Sequence, residues 1–181
     1  MIKLLANEEV YGAVIEHGLG EAKHSVWIAT ANVKNLMLSI GGGDARSSLY
    51  LFEEMIGRGI SVRLLHSGVP SGPFMKALKD HESKLAGKAL FQMKRCIRVH
   101  FKCVLVDNRL LYVGSANFTG AGLGMKGKTR RNFELGVLTD DDEIMDRVTE
   151  LYENVWSGRQ CPRCGRHEQC AVPLESPYER D

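Results

Sequence analysis

The chain has 181 residues and a formal net charge of +2, enough length for one domain with a sizeable core and too little charge excess to announce a nucleic-acid partner by itself. Five cysteines, an odd number, argue against a disulfide framework and for reduced thiols. No apolar run approaches the ~20 residues of a membrane span, and the opening MIKLLANEEVYG turns polar too soon for a signal peptide, so the expectation is a cytoplasmic protein with no membrane partner.

In chain order the pattern predicts an α/β protein, a mixed β-sheet flanked by helices. Residues 7–22 read as a helix with Val10, Val14 and Ile15 on one side, and 24–32 as a strand. The loop Ser39-Ile40-Gly41-Gly42-Gly43 reads as a connection, with Asp44 as N-cap of a helix reaching Met55-Ile56. Gly57-Arg58-Gly59 ends that helix, Ile60 to Leu65 is the next strand, and SGVPSGP is a turn. Residues 74–86 form a basic amphipathic helix. Strands follow at 89–94, 97–106, 109–113 and 131–138, then a helix at 141–156 whose acidic first turn suits the helix dipole. Trp156-Ser157-Gly158 closes a catalytic domain of residues 1–158 and leaves a Cys/His-rich tail at 159–181.

The most informative stretch runs from Val99 to Asn117 and has the pattern H-x-K-x4-D-x6-G-S-x-N: His100, Lys102, Asp107, Gly114, Ser115, Asn117. In a strand over 97–106, His100 and Lys102 share a face. Asp107-Asn108 is a turn signal, and Asp107 reads as a structural acceptor that orders a hairpin. Gly114 and Ser115 open a small-residue loop that lets backbone N–H groups approach a phosphate. The plain alternative for His100 is a core histidine in a strand.

This pattern closely resembles the HKD motif of the phospholipase D superfamily. In the smaller nucleases of that family a downstream Glu pairs with the nucleophilic His, and Glu134 occupies the matching place. The resemblance implies a neutral imidazole of His100 that attacks phosphorus and forms a phosphohistidine. Glu134 fixes its tautomer, Lys102 and Asn117 hold the equatorial oxygens, and Ser115 positions the phosphate or its surroundings. No cofactor is needed for that catalysis. A second His must protonate the leaving oxygen, and no second H-x-K occurs. Small members of the family carry one copy and pair two chains. A homodimer is therefore expected, with His100 of one chain as nucleophile and that of its mate as acid.

Two basic clusters flank the motif: Lys126, Lys128, Arg130 and Arg131, and then Lys94, Arg95 and Arg98. Both suit a groove that tracks phosphates, and both are equally readable as solvated loop charges. The run Gly122 to Thr129 matches a Walker A pattern, but a Gly/Ala loop precedes it and a strand follows, the wrong context for a nucleotide loop. The expected partner is nucleic acid, DNA or RNA. The competing functions are a phospholipase D or transphosphatidylase, which needs an exposed apolar surface beyond Leu36-Met37-Leu38, and a catalytically silent nucleic-acid-binding module.

The tail contains Cys161, Cys164, His167 and Cys170, spaced C-x2-C-x2-H-x2-C. One reading is a structural zinc held by three thiolates and His167. Another is an iron–sulfur cluster with a distant fourth thiolate, Cys96 or less favourably Cys103. The third is a metal-free tail.

Overall fold

The computed structural model describes residues 1–38, 44–85 and 89–177. The glycine-rich connection at 39–43 lies outside the described residues.

A seven-stranded mixed sheet organises the chain, in the order β1 (Ile2–Ala6), β9 (Leu135–Thr139), β8 (Leu110–Gly114), β7 (Lys102–Val106), β2 (Ser25–Thr30), β5 (Ser61–His66), β6 (Phe91–Arg95). β2, β5 and β6 run parallel; β7, β8, β9 and β1 join them through antiparallel pairs. β1, which the sequence pattern does not announce, pairs with β9 at one edge. A small ribbon of β3 (Met37–Leu38) and β4 (Arg46–Ser47) stands apart from the sheet.

Side-chain alternation sends β-branched and aromatic residues to both faces of the sheet. Val26, Ile28, Val62, Leu64, Met93, Val104 and Tyr112 face one core. That core is covered by α1 (Glu9–Tyr11), its π-helical continuation Gly12–Gly18, α2 (Ser48–Gly57) and α3 (Gly72–Asp80). Ala29, Leu65, Cys103, Leu105 and Leu111 face the other, beneath α5 (Asp142–Trp156). There Tyr152 stacks between Trp27 at 5.2 Å and Trp156 at 5.7 Å, geometry that adds to simple area burial.

Several local expectations change. Ser47, not Asp44, caps α2: its hydroxyl accepts from Leu49 N–H at 3.2 Å. The basic helix is two pieces, α3 and α4 (Glu82–Leu85), with a turn at His81. The strand expected over 97–106 starts only at Lys102, because Val99 N–H donates to Cys96 carbonyl at 3.0 Å and makes a turn just upstream. The helix expected over 141–156 forms at Asp142–Trp156, and Asp141 caps it, accepting from Ile144 N–H at 3.0 Å. No helix among the described residues is long and apolar enough to cross a membrane.

Strand directions gather the site. The C-terminal ends of β1, β2, β5, β6 and β8 and the N-terminal ends of β7 and β9 all lie at one end of the sheet. Thr30, His66, Lys102, Gly114 and Leu135 mark it.

Candidate active site

Lys102 opens β7 and is buried; its ammonium donates to the His100 carbonyl at 2.7 Å. His100 precedes the strand and is exposed, and its ring has no hydrogen-bond partner among the described residues. The shared strand face expected for His100 and Lys102 is thus replaced by a backbone tether: the lysine holds the histidine's peptide while the imidazole stands in solvent. His100 is not a core histidine.

Gly114 is paired across from Lys102 on one side and Gly136 on the other. A Cβ at Gly114 would meet the Leu135 carbonyl at 2.6 Å, and one at Gly136 would meet the Tyr112 ring at 2.4 Å. Only glycine allows this approach of β8, β9 and Tyr112. It brings Ser115 against β9, where its N–H donates to Leu135 carbonyl at 2.9 Å and its hydroxyl accepts from Leu135 N–H at 3.0 Å. The hydroxyl proton goes to Glu134 Oε2. Ser115 is therefore spent on fixing Glu134.

Glu134 is buried, and Asn132 Nδ2 donates to its other oxygen at 2.9 Å. Asn7, in the left-handed region at φ 51°, binds the Glu134 backbone from both sides, with its N–H on the carbonyl at 2.9 Å and Oδ1 on the N–H at 3.2 Å. No hydrogen bond joins Glu134 to His100 in the single chain. Asn7 and Asn132 are site residues that sequence reasoning missed. Asn132, two residues before Glu134, is the one a spacing argument could have found.

Asn117 docks the loop onto β2. Its Oδ1 accepts from Ala31 and Asn32 N–H, both at 3.1 Å, with Thr30 Oγ1 at 3.2 Å. Thr30, also missed, accepts from Phe118 N–H at 3.0 Å. The Asn117 Nδ2 group is left as a donor without a partner among the described residues. Gly122 packs where a Cβ would sit 2.4 Å from the Asn117 carbonyl. The Walker-like run is thus the wrapping of this loop, and β9 rather than a helix comes next.

Asp107 stands at the opposite end of β7. Asp107 and Asn108 take φ 54° and 50°, a hairpin of left-handed residues. Asp107 accepts from the N–H groups of Lys23 (2.8 Å), His24 (2.7 Å) and Ser25 (2.8 Å), the chain entering β2. Partial burial raises its pKa, but these three donors outweigh it and hold the carboxyl below the ordinary aspartate value.

The basic residues divide. Lys126, Lys128 and Arg130 are exposed, whereas Arg131 is paired with Glu8 at 2.9 Å. Lys94 donates to the Trp156 carbonyl at 3.1 Å and sits over its ring. Arg95 pairs with Glu175 at 3.2 Å, and Arg98 reaches the Cys164 sulfur at 3.7 Å. Lys94 and Arg95 are thus engaged by internal partners, whereas Arg98 is exposed.

His66 ends β5 at this same end of the sheet. It is buried, its Nδ1 hydrogen bonds to Gly68 carbonyl at 2.9 Å, and its Nε2 has no partner. Burial drives its pKa down to about 4, so it is neutral at pH 7. Leu36 and Leu38 belong to the core while Met37 between them is exposed; Phe133, 93% exposed, and Leu135 flank Glu134 as exposed apolar side chains.

The family described as "Cardiolipin synthase, PLD-like domain" matches residues 15–156. No curated protein matches the sequence. Among solved structures, NucT from Helicobacter pylori is similar at 16% identity with a TM-score of 0.59, over 85% of this chain and 95% of NucT. Nuc from Salmonella typhimurium, a phospholipase D family member, is similar at 16% identity and 0.52, over 87% and 94%. The phosphatidylserine synthase of Haemophilus influenzae Rd KW20 is similar at 13% identity and 0.57, over 98% of this chain but 40% of that one. The match over residues 15–156, with this fold, places the chain in the PLD-like family.

Proposed function

We propose that the chain is a metal-independent phosphodiesterase that cleaves nucleic acid through a phosphohistidine at the two-fold axis of a homodimer. The observation that carries this is one solvent-facing imidazole, His100, beside a buried ammonium, an amide donor and a fixed carboxylate at one sheet end.

His100 attacks phosphorus and forms an N–P bond as the P–O bond to the leaving nucleoside breaks. His100 of the partner chain gives that oxygen its proton. The partner imidazole then takes a proton from water, whose oxygen displaces the His100 nitrogen. The strand carrying the new phosphomonoester end is released and both rings return to their starting states. Lys102 keeps ammonium protons beyond the one given to the His100 carbonyl, and Asn117 Nδ2 adds a neutral donor; both stabilise the charge gathering on the equatorial oxygens. Glu134, bound by Ser115 and Asn132, is ready to accept from His100 once the dimer and substrate order that segment.

The dimer rests on the chemistry of the other imidazoles. His66, the other histidine on a strand end here, is buried with a pKa of about 4 and is a poor acid at neutral pH. A second chain supplies an equivalent His100 by symmetry. Phe133, Leu135 and Leu4, exposed at 93%, 54% and 64%, form an apolar surface near Glu134 that suits such an interface. Nucleic acid is favoured over lipid by size: NucT and Nuc are matched over 95% and 94% of their lengths, the phosphatidylserine synthase over 40%. Lys126, Lys128 and Arg130 provide the free cations for a phosphate backbone.

The test is incubation with single-stranded DNA, duplex DNA, RNA and phosphatidylcholine vesicles in EDTA, beside His100→Ala. Cleavage of nucleic acid that survives EDTA and disappears in the variant is expected. Turnover of lipid alone identifies a phospholipase, with Phe133 as its membrane contact. Tight binding without products identifies a silent DNA- or RNA-binding module.

A further inference from the structure

The tail does not trail away from the sheet. After α5, Gly158 takes φ 74° and turns the chain back. Glu175 then forms a bridge with Arg95 at the end of β6, its carbonyl accepting from Arg95 N–H at 2.9 Å. This return carries the tail onto the segment that follows β6. Cys96, Cys161, Cys164 and Cys170 consequently line one small pocket of about 30 Å³, together with Ile97, Pro173 and Leu174.

The four thiols differ from His167 in a way that selects the ligands. All four cysteines are half-buried, whereas His167, at the rim of the same pocket, is exposed. Cys161 and Cys164 flank a 3₁₀ turn with Pro162 at its start, where Cys164 N–H donates to Cys161 carbonyl at 3.0 Å. Two thiols on one such turn are the usual half of a structural zinc site. The guanidinium of Arg98 reaches the Cys164 sulfur at 3.7 Å. Cys170 lines the same pocket as the other three cysteines.

From this arrangement we infer that Cys96, Cys161, Cys164 and Cys170 bind one structural zinc ion, which clamps the tail to the segment leading into His100. Cys96 thus replaces His167 as the fourth ligand. Among the described residues no group of three or more His, Cys, Asp or Glu side chains is already arranged to hold a metal ion, so binding requires the sulfurs to move to ~2.3 Å from the zinc. Each of the four thiols loses its proton as its bond to zinc forms, and the resulting net −2 site faces the guanidinium groups of Arg98 and Arg166. A single tetrahedral ion is the simplest group that four thiolates around a pocket of this size would hold.

The consequence falls on the active site. Cys96 carbonyl accepts from Val99 N–H at 3.0 Å, so the proposed ligand begins the turn that presents His100. Zinc would hold this turn from outside the chemistry.

Metal analysis of the full chain, purified without chelator, tests the assignment. One zinc per chain, colourless protein and full retention in His167→Ala are expected. Cys96→Ser and Cys170→Ser should each lose at least ten-fold in zinc affinity, and chelation should lower the Tm of the unaltered protein. Should the serine variants fail to fold, cobalt titration of the unaltered chain still decides, because four thiolates and three thiolates plus imidazole give different visible spectra. Protein that binds no zinc, a brown protein with iron, or zinc lost in His167→Ala but kept in Cys96→Ser would overturn the assignment.

Discussion

The two ends of β7 carry the two halves of the motif, and they differ in kind. At the Asp107 end every strong acceptor is met: one carboxylate ties three backbone N–H groups of the chain entering β2. At the other end the groups are deliberately incomplete, with an exposed imidazole, a lysine that spends one bond on a carbonyl, and an amide donor without a partner. Saturated polar groups stabilise, whereas unsatisfied ones positioned by saturated neighbours are available for chemistry. The same five-residue strand thus separates an end whose polar groups are satisfied from one whose groups are left open.

Substitutions should expose that asymmetry. The largest effect is expected from His100→Ala, a loss of more than ~10⁴-fold in kcat with Tm unchanged, because the ring touches nothing the fold needs. Lys102→Met should follow, at ~10²- to 10³-fold in kcat. Paired cleavage assays and thermal melts check both. Asp107→Ala should do the reverse. Losing a charged acceptor for three backbone donors should cost about 2–4 kcal/mol in denaturant unfolding, with kcat per folded molecule kept. Complete inactivity at full stability would contradict its structural role.

Acid should also reach the two ends in sequence. His66 is neutral in the fold down to about pH 4, while in the unfolded chain it gains a proton near 6.5. Stability should therefore be whole above pH 6.5 and fall by up to about 3 kcal/mol as pH drops to 4, since the unfolded state then binds more protons. Glu175 and Arg95, the charges near His66, act in opposite senses. The Asp107 contribution is present above the unfolded aspartate value and disappears as pH falls through its lower folded one. Urea unfolding across pH 3–8 should show the two steps, and Asp107→Asn should remove the lower one. The smallest effect is expected from Lys128→Gln, which should reduce the salt slope of nucleic-acid affinity by about 1 and leave kcat unchanged.

Much of this was legible in the sequence, and the misses share a cause. The Asp107-Asn108 turn, the α5 helix with its acidic first turn and the order of strands after residue 24 follow from local rules of turn, charge and period. The run IRVHFKCVLV alternates like one strand, yet the turn at Cys96–Val99 is set by packing against the tail and shortens it. Lys94 and Arg95 read as free cations because their partners, Trp156 and Glu175, lie 62 and 80 residues away. Asn7 binds Glu134 across a separation of 127 residues. β1 was invisible for the same reason, since its strand character depends on β9.

The central claim is that one reactive centre needs an imidazole from each of two chains. Unaltered protein and His100→Ala protein, mixed in equal amounts and reassociated at random, test it most directly. With a shared centre only the dimers carrying two His100 residues work, so activity should fall to about one quarter of that of undiluted protein. Activity at about one half, unchanged per unaltered chain, would show that each chain acts alone.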